Sequence, residues 1–353
     1  MSLRIMPKSA LKAWIQRLQE RSFRIVGPKA LHGRYVFDDI ADPDELAIDY
    51  PTTLSAPKQY LLPSREVLFS FNADTMDMTA HIEAEPTVLF GVHTCDMHAI
   101  QLLDTVQNNG FADQHYRARR DALYLVSIEC LKPCSAQCFC KDMETYSITE
   151  TYDVHLADMG DAYAVRVGSE KGEELMAGFT NIWEGADSDQ QRLNEVMSQK
   201  WQNFEFRLDA TLSQLPEVLG AAMHSKYWDE LGDICLACGA CTQVCPTCYC
   251  FDVVDEVDLT LTHGVRVRAW DSCQIEKFAV VAGNHNFRSQ LGRRQRHRFM
   301  RKGKYQYEAY GKVGCVGCGR CGTTCPVDIT CIKTFNHLTQ ESADRQAAAE
   351  VKA

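Results

Sequence analysis

One cysteine spacing, occurring twice, constrains this chain more than any other feature. Cys235, Cys238, Cys241 and Cys245 are followed by Pro246, and Cys315, Cys318, Cys321 and Cys325 by Pro326, so both stretches read Cys-x2-Cys-x2-Cys-x3-Cys-Pro. Three thiolates within seven residues can wrap one corner of an iron–sulfur cubane, while the fourth, beside proline, is turned away and ligates the other cluster. The spacing therefore predicts two [4Fe-4S] clusters with crossed ligands: Cys235, Cys238, Cys241 and Cys325 on the first, Cys315, Cys318, Cys321 and Cys245 on the second. Cys241 and Cys245 would then serve different clusters. Four residues span roughly 6 Å if helical and at most about 14 Å if extended, so the clusters must be neighbours. Gly239, Gly317 and Gly319 fit the same expectation, because a residue without Cβ lets backbone N–H groups come close to cluster sulfides.

Two other readings of these segments are weaker. Zinc sites also use Cys-x2-Cys pairs, but they join two such pairs through a loop of a dozen or more residues. Gly317-Cys-Gly319-Arg-Cys-Gly322 matches the letters of a dinucleotide-binding loop, yet it follows no strand-like run and carries cysteines at its variable positions. No flavin or nicotinamide site is expected on this chain.

Seventeen cysteines among 353 residues could suggest a secreted disulfide scaffold, but such scaffolds are short, and here the cysteines come in cluster spacings. Metal ligation in a reducing compartment explains them better. Met1 to Ser22 has no continuous apolar stretch of the secretory type, and no segment approaches the roughly 20 apolar residues of a membrane span. A cytoplasmic protein without membrane contact is expected. The formal net charge is -10, and each thiolate-ligated cubane would add about two more negative charges, which argues against general affinity for nucleic acid.

The expected fold class is α+β, with an N-terminal mixed α/β domain followed by a largely helical, ferredoxin-like dicluster domain. Residues 1–224 form the first part. Ala10 to Gln19 shows helical spacing of Leu11, Trp14, Ile15 and Leu18, and Tyr60 to Leu62, Val67 to Phe71, Thr87 to Val92 and Leu123 to Ile128 read as buried strands. A polar helical stretch from Asp187 to Leu212 leads toward the cluster region. Residues 225–340 form the dicluster domain, its motifs separated by a long insert, 247–314, and residues 341–353 read as a flexible tail. Within the insert, Arg288 to Lys304 holds Arg288, Arg293, Arg294, Arg296, Arg298, Arg301, Lys302 and Lys304 and no acidic residue. It reads as a solvated helix face that balances an acidic protein and its anionic clusters, including docking of an acidic partner, in preference to a zinc-stabilised nucleic-acid module.

Nine cysteines remain outside the motifs. Cys95, Cys130, Cys138 and Cys140 are the most economical ligand set for a third cluster in the N-terminal half, and Cys248, Cys250 and Cys273 are alternative ligands. Cys134 and Cys331 read as core filler, since free cysteine packs as a small hydrophobe. The histidines show no metal-ligand spacing of their own.

Several segments together resemble one family: Phe90-Gly-Val-His-Thr-Cys-Asp-Met-His-Ala-Ile-Gln-Leu-Leu-Asp-Thr-Val106, Cys138-Phe-Cys140, Cys235-Leu-Ala-Cys-Gly-Ala-Cys241, Cys245-Pro-Thr-Cys248, Trp270-Asp-Ser-Cys273 and Ala282-Gly-Asn-His-Asn-Phe-Arg288. They look like the beta subunit of cytoplasmic [NiFe] sulfhydrogenases over nearly the whole chain, with Asn284 standing where glycine is expected. The iron–sulfur relay subunit of anaerobic sulfite reductase shares the architecture and is the alternative. The resemblance implies an electron relay between the hydrogenase small and large subunits and a separate flavin/NAD(P)H-binding subunit. No catalytic site is then expected on this chain.

Overall fold

Apolar runs rich in β-branched and aromatic residues build the first half of the molecule, whose computed structural model describes residues 3–351. The strands of this half are β1 (Arg4–Pro7), β2 (Arg24–Leu31), β3 (Arg34–Asp39), β4 (Arg65–Asn72), β5 (Met78–Ala80), β6 (Thr87–His93), β7 (Leu123–Ile128), β8 (Val154–Asp158), β9 (Ala162–Val167) and β10 (Trp183–Glu184). Eight of them form one mixed sheet in the order β10-β1-β9-β8-β7-β6-β2-β3. The central members β2, β6, β7 and β8 run parallel, and the flanking pairs are antiparallel. Every residue of β6 is buried, as expected of a parallel strand covered on both faces.

The covering helices are α1 (Leu11–Glu20), α2 (Thr94–Gln107), α3 (Gln114–Ala122), α4 (Glu170–Met176) and α5 (Asp187–Asn203). Helix α1 buries Leu11, Trp14, Ile15 and Leu18, the i, i+3, i+4, i+7 stripe of an amphipathic helix. That stripe packs with Phe90 and Val126 on one face of the sheet, while Leu89 and Leu125 face Met97, Leu103 and Tyr116 on the other.

The second half is mainly helical: α6 (Leu215–Ala221), α7 (Tyr227–Ile234), α8 (Ala240–Gln243), α9 (Leu291–Met300), α10 (Gln306–Tyr310), α11 (Arg320–Thr324) and α12 (Cys331–Glu350). A π-helical turn over Arg301–Tyr305 carries α9 into α10. Its core of Leu215, Leu219, Trp228, Phe299, Phe335 and Leu338 also takes in Phe139 and Met143 from the first half. The long insert contributes a hairpin of β11 (Phe251–Val257) and β12 (His263–Trp270), which joins β4 and β5 in a second sheet, β11-β12-β4-β5. The two halves are thus joined by strand pairing as well as by a shared core.

Several local expectations change. Tyr60 to Leu62 is not a strand: Pro57–Tyr60 forms a 3-10 turn begun by proline, and Leu61 and Leu62 are buried as core residues. Val67 to Phe71 is a strand, but a half-buried one in the smaller sheet. The polar helix stops at Asn203, short of Leu212. Beyond Gln340 the chain continues as helix to Glu350, held where Ser225 Oγ donates to Glu341 (2.6 Å) and Arg345 donates to the Ala221 carbonyl (3.0 Å). Asn284 has φ 59, the left-handed conformation that asparagine tolerates and glycine prefers.

A buried ion pair crosses between the halves. Arg320 of α11 donates through Nη1 and Nη2 to Asp96 of α2 at 2.6 and 2.7 Å, and its Nε donates to the Thr53 carbonyl at 3.1 Å. Removing one partner of such a pair strands the other charge, which costs about 3–5 kcal/mol. Asp96→Ala is expected to lose that much stability in chemical denaturation. A loss below about 1 kcal/mol would mean that Arg320 finds its compensation elsewhere.

Candidate metal centres

The two ferredoxin motifs share one backbone trace. Ala237 and Gly317, two residues after the first cysteine of each motif, have φ 51 and 65; Gly239 and Gly319, two residues further, have φ 74 and 76 and start α8 and α11. These helices pack against each other and so bring the motifs face to face. One cavity is lined by Cys235, Cys238 and Cys241 together with Cys325. A second is lined by Cys315, Cys318 and Cys321 together with Cys245. Each cavity thus joins the first three thiols of one motif to the last thiol of the other, and Cys241 and Cys331 also border the second.

Donors already point at several of these sulfurs. Gln295 Nε2 lies 2.9 Å from Cys235 Sγ, and the backbone N–H groups of Ala237 and Ile329 donate to Cys235 and Cys325 Sγ at 3.4 and 3.3 Å. Such hydrogen bonds stabilise thiolate and tune a bound cluster. A hydrogen bond from Cys248, with the charges of Lys302 and Lys58 nearby, holds Cys245 well below the usual thiol range. Burial pushes Cys241 up to about 11 and Cys318 to about 12.

The basic run 288–304 is solvated only in part: Arg293 is exposed, but one side of the run is buried. Arg294, Arg298 and Lys302, spaced i, i+4, i+8, are 4%, 3% and 5% exposed. Arg298 lines both ferredoxin cavities, and Lys302 lines the second. Although burial opposes its charge, Arg298 is held above the ordinary arginine value by Cys241 and Cys321. It donates to Gln295 Oε1 at 3.3 Å, while its Nη2 has no partner. Lys58, also buried, donates to the Cys248 carbonyl at 2.9 Å and sits over the Trp270 ring. The i+4 spacing of three cations beside Phe299 and Met300 was the available signal for their burial, whereas nothing local marks Lys58.

The remaining cysteines gather at two places. Cys95 is the second residue of α2, which follows β6 directly, and Cys130 follows β7, adjacent strands paired through His93 and Ile128. Both therefore lie at the carboxyl ends of parallel strands, where ligand sites of open α/β sheets occur. The 137–140 loop lies against the second motif: Phe139 N donates to the Gly317 carbonyl at 2.8 Å, and a Cβ on Gly317 would stand 2.7 Å from Cys140 Cα. Cys95, Cys130 and Cys140 pack in one group with Cys318. Cys134 is half-buried and, among the described residues, belongs to no core cluster; it stands near Cys138, whose thiol Cys134 and Cys140 hold far below the usual range. Cys331 packs in the core with Phe299 and Phe335, as expected, and also lines the second cavity with its sulfur 3.8 Å from Cys321 Sγ.

Cys248, Cys250 and Cys273 line another cavity, beside Arg301 and Lys302. His98 is bonded to the Ser147 carbonyl and His285 is exposed, but His297 lines that cavity. Among the described residues, no three His, Cys, Asp or Glu side chains converge as a single ion requires, with ligands roughly 2 Å from the metal. The thiols instead line shared cavities, the arrangement suited to a cluster that spreads its ligands over four irons.

Residues 234–329 match the 4Fe-4S dicluster domain family, so this part of the chain is an iron–sulfur-binding domain of the dicluster class. Over 337 residues, covering 93% of this chain and 95% of the relative, the sequence is 33% identical to sulfhydrogenase 2 subunit beta of Pyrococcus furiosus. The chain belongs to the sulfhydrogenase beta-subunit family and is an iron–sulfur electron-transfer subunit. No solved structure matches it. Among the described residues, no helix is long and apolar enough to cross a membrane.

At an effective dielectric of about 20, a unit charge about 6 Å away is worth roughly 3 kcal/mol, on the order of 100 mV for a one-electron couple. Arg298→Met is accordingly expected to lower the midpoint potentials of the clusters in the two ferredoxin cavities by tens of millivolts or more in a redox titration followed by EPR. Unchanged potentials would show that Arg298 is only a packing residue.

Proposed function

We propose that this chain is the iron–sulfur relay of a cytoplasmic [NiFe] hydrogenase complex, carrying electrons between the hydrogenase small and large subunits and a flavin/NAD(P)H-binding subunit. The observation that carries the wiring is the crossed sharing of cysteines between the two ferredoxin cavities. Cys235, Cys238, Cys241 and Cys325 hold one [4Fe-4S] cluster and Cys315, Cys318, Cys321 and Cys245 the other. Cys95, Cys130, Cys138 and Cys140, with Cys134 alongside, hold a third. Bound clusters supply one-electron transfer.

The protein's own residues fix where and at what potential. The x3 segment between Cys241 and Cys245 keeps the two cavities adjacent, and Arg298 and Lys302 supply positive charge at their shared wall. The loop carrying Cys138 and Cys140 lies against Gly317, so the N-terminal thiols adjoin the second cavity. At the first cavity, Cys238 and Leu236 are exposed, which leaves its edge open for exchange with a partner.

Cys245→Ala tests the wiring. It is expected to perturb the EPR signal of the cluster held by Cys315, Cys318 and Cys321 and to spare the one held by its own motif; the reverse pattern would refute crossed ligation. Metal analysis of the intact complex, isolated anaerobically, tests the partner assignment. Nickel is expected, and a sirohaem-bearing partner in its place would move the chain to the sulfite reductase relay.

A further inference from the structure

The insert hairpin and α9 converge on thiols that neither ferredoxin motif uses. Cys250 directly precedes β11 and Cys273 follows β12 closely, and the register Phe251↔Trp270 sets the two strand ends side by side. Asp271 N donates to the Cys250 carbonyl at 3.0 Å and closes the base of the hairpin. Cys248 enters from the ferredoxin side through Thr247, whose hydroxyl is bonded to Lys302 Nζ and donates to the Gly314 carbonyl. Cys248, Cys250 and Cys273 line one cavity, and Gln274 Nε2 donates to Cys273 Sγ at 3.3 Å. The same cavity wall carries His297 from α9, with Arg298, Arg301 and Lys302 and no carboxylate.

We propose that Cys248, Cys250 and Cys273, with the imidazole of His297 as fourth ligand, hold a further [4Fe-4S] cluster. The inference rests on the iron–sulfur reading above and goes beyond the two ferredoxin clusters and the N-terminal thiols. Three thiolates and a neutral imidazole leave such a cluster with about one net negative charge in its oxidised form, which the three cations of the wall offset. Arg298, 3% exposed and with an unpartnered Nη2, stands in this wall as well as in those of the ferredoxin cavities. His297 is the one imidazole of the wall, and no carboxylate competes with it. Its Nδ1 lies 3.4 Å from the Arg288 guanidinium, a contact that ligation through that nitrogen would displace. Imidazole in place of thiolate raises a cluster's potential, so this centre sits above its all-thiolate neighbours.

The test uses the full chain, prepared anaerobically. Cys250→Ser with Cys273→Ser is expected to lose about four iron atoms per chain while the EPR signals of the ferredoxin pair persist, which also reports that the fold is intact. Iron content equal to wild type in that variant overturns the site. His297→Cys removes no thiol and is expected to keep the iron content while shifting one cluster signal to lower potential and leaving the others in place. If no signal moves, His297 is not a ligand. A wild-type protein without iron would instead overturn the iron–sulfur reading itself, an outcome distinct from either variant's failure.

Discussion

Concentrating negative charge inside a protein is expensive unless positive charge is buried with it, and the interior of this molecule is organised round that requirement. The chain has a formal net charge of -10, yet Arg298, Lys302, Arg320 and Lys58 are drawn inside, each beside cysteines or the loops that carry them. Their hydrogen bonds end on backbone carbonyls, side-chain oxygens and one carboxylate. In Arg298 a donor is left without a protein acceptor. A thiol-lined interior with cations and spare donors in its walls is suited to an anionic inorganic cluster and poorly suited to remaining empty.

The second ferredoxin motif is the hub of the arrangement. Its Gly317 and Gly319 have positive φ and leave no room for side chains, because the 137–140 loop of the first half presses on them. Its Arg320 reaches across to Asp96 and Thr53. Its cavity borrows Cys245 from the first motif and adjoins Cys248 beyond it. The insert that separates the motifs in sequence returns as a hairpin on β4 and as the cationic helix α9, so the length of chain between the motifs forms part of the walls around both.

The ferredoxin spacing was fully legible in the sequence, since four ligands at fixed offsets and a proline specify a local chain path. Strands β6 and β7 and helix α1 were legible for the same reason: their apolar period is local. What could not be read was set by distant partners. Arg294, Arg298 and Lys302 look like a solvated face until anionic thiol cavities are placed beside them. Cys331 does pack as core, and only the fold adds that its sulfur lies within reach of Cys321 at the cavity wall. Tyr60 to Leu62 has a strand's composition, but Pro57 starts a turn and the two leucines are consumed by the core. The helix through Glu350 depends on Ser225 and Ala221, far earlier in the chain.

Two clusters sit side by side, on this account, because each borrows its fourth ligand from the other's motif. EPR of the fully reduced, anaerobically purified protein measures that proximity. Adjacent paramagnetic clusters give a broadened, spin-coupled spectrum, and the account predicts that spectrum, with a simpler one when only one cluster of the pair is reduced. Fully reduced centres whose signals are merely additive, or a colourless protein without an iron signal, would contradict it.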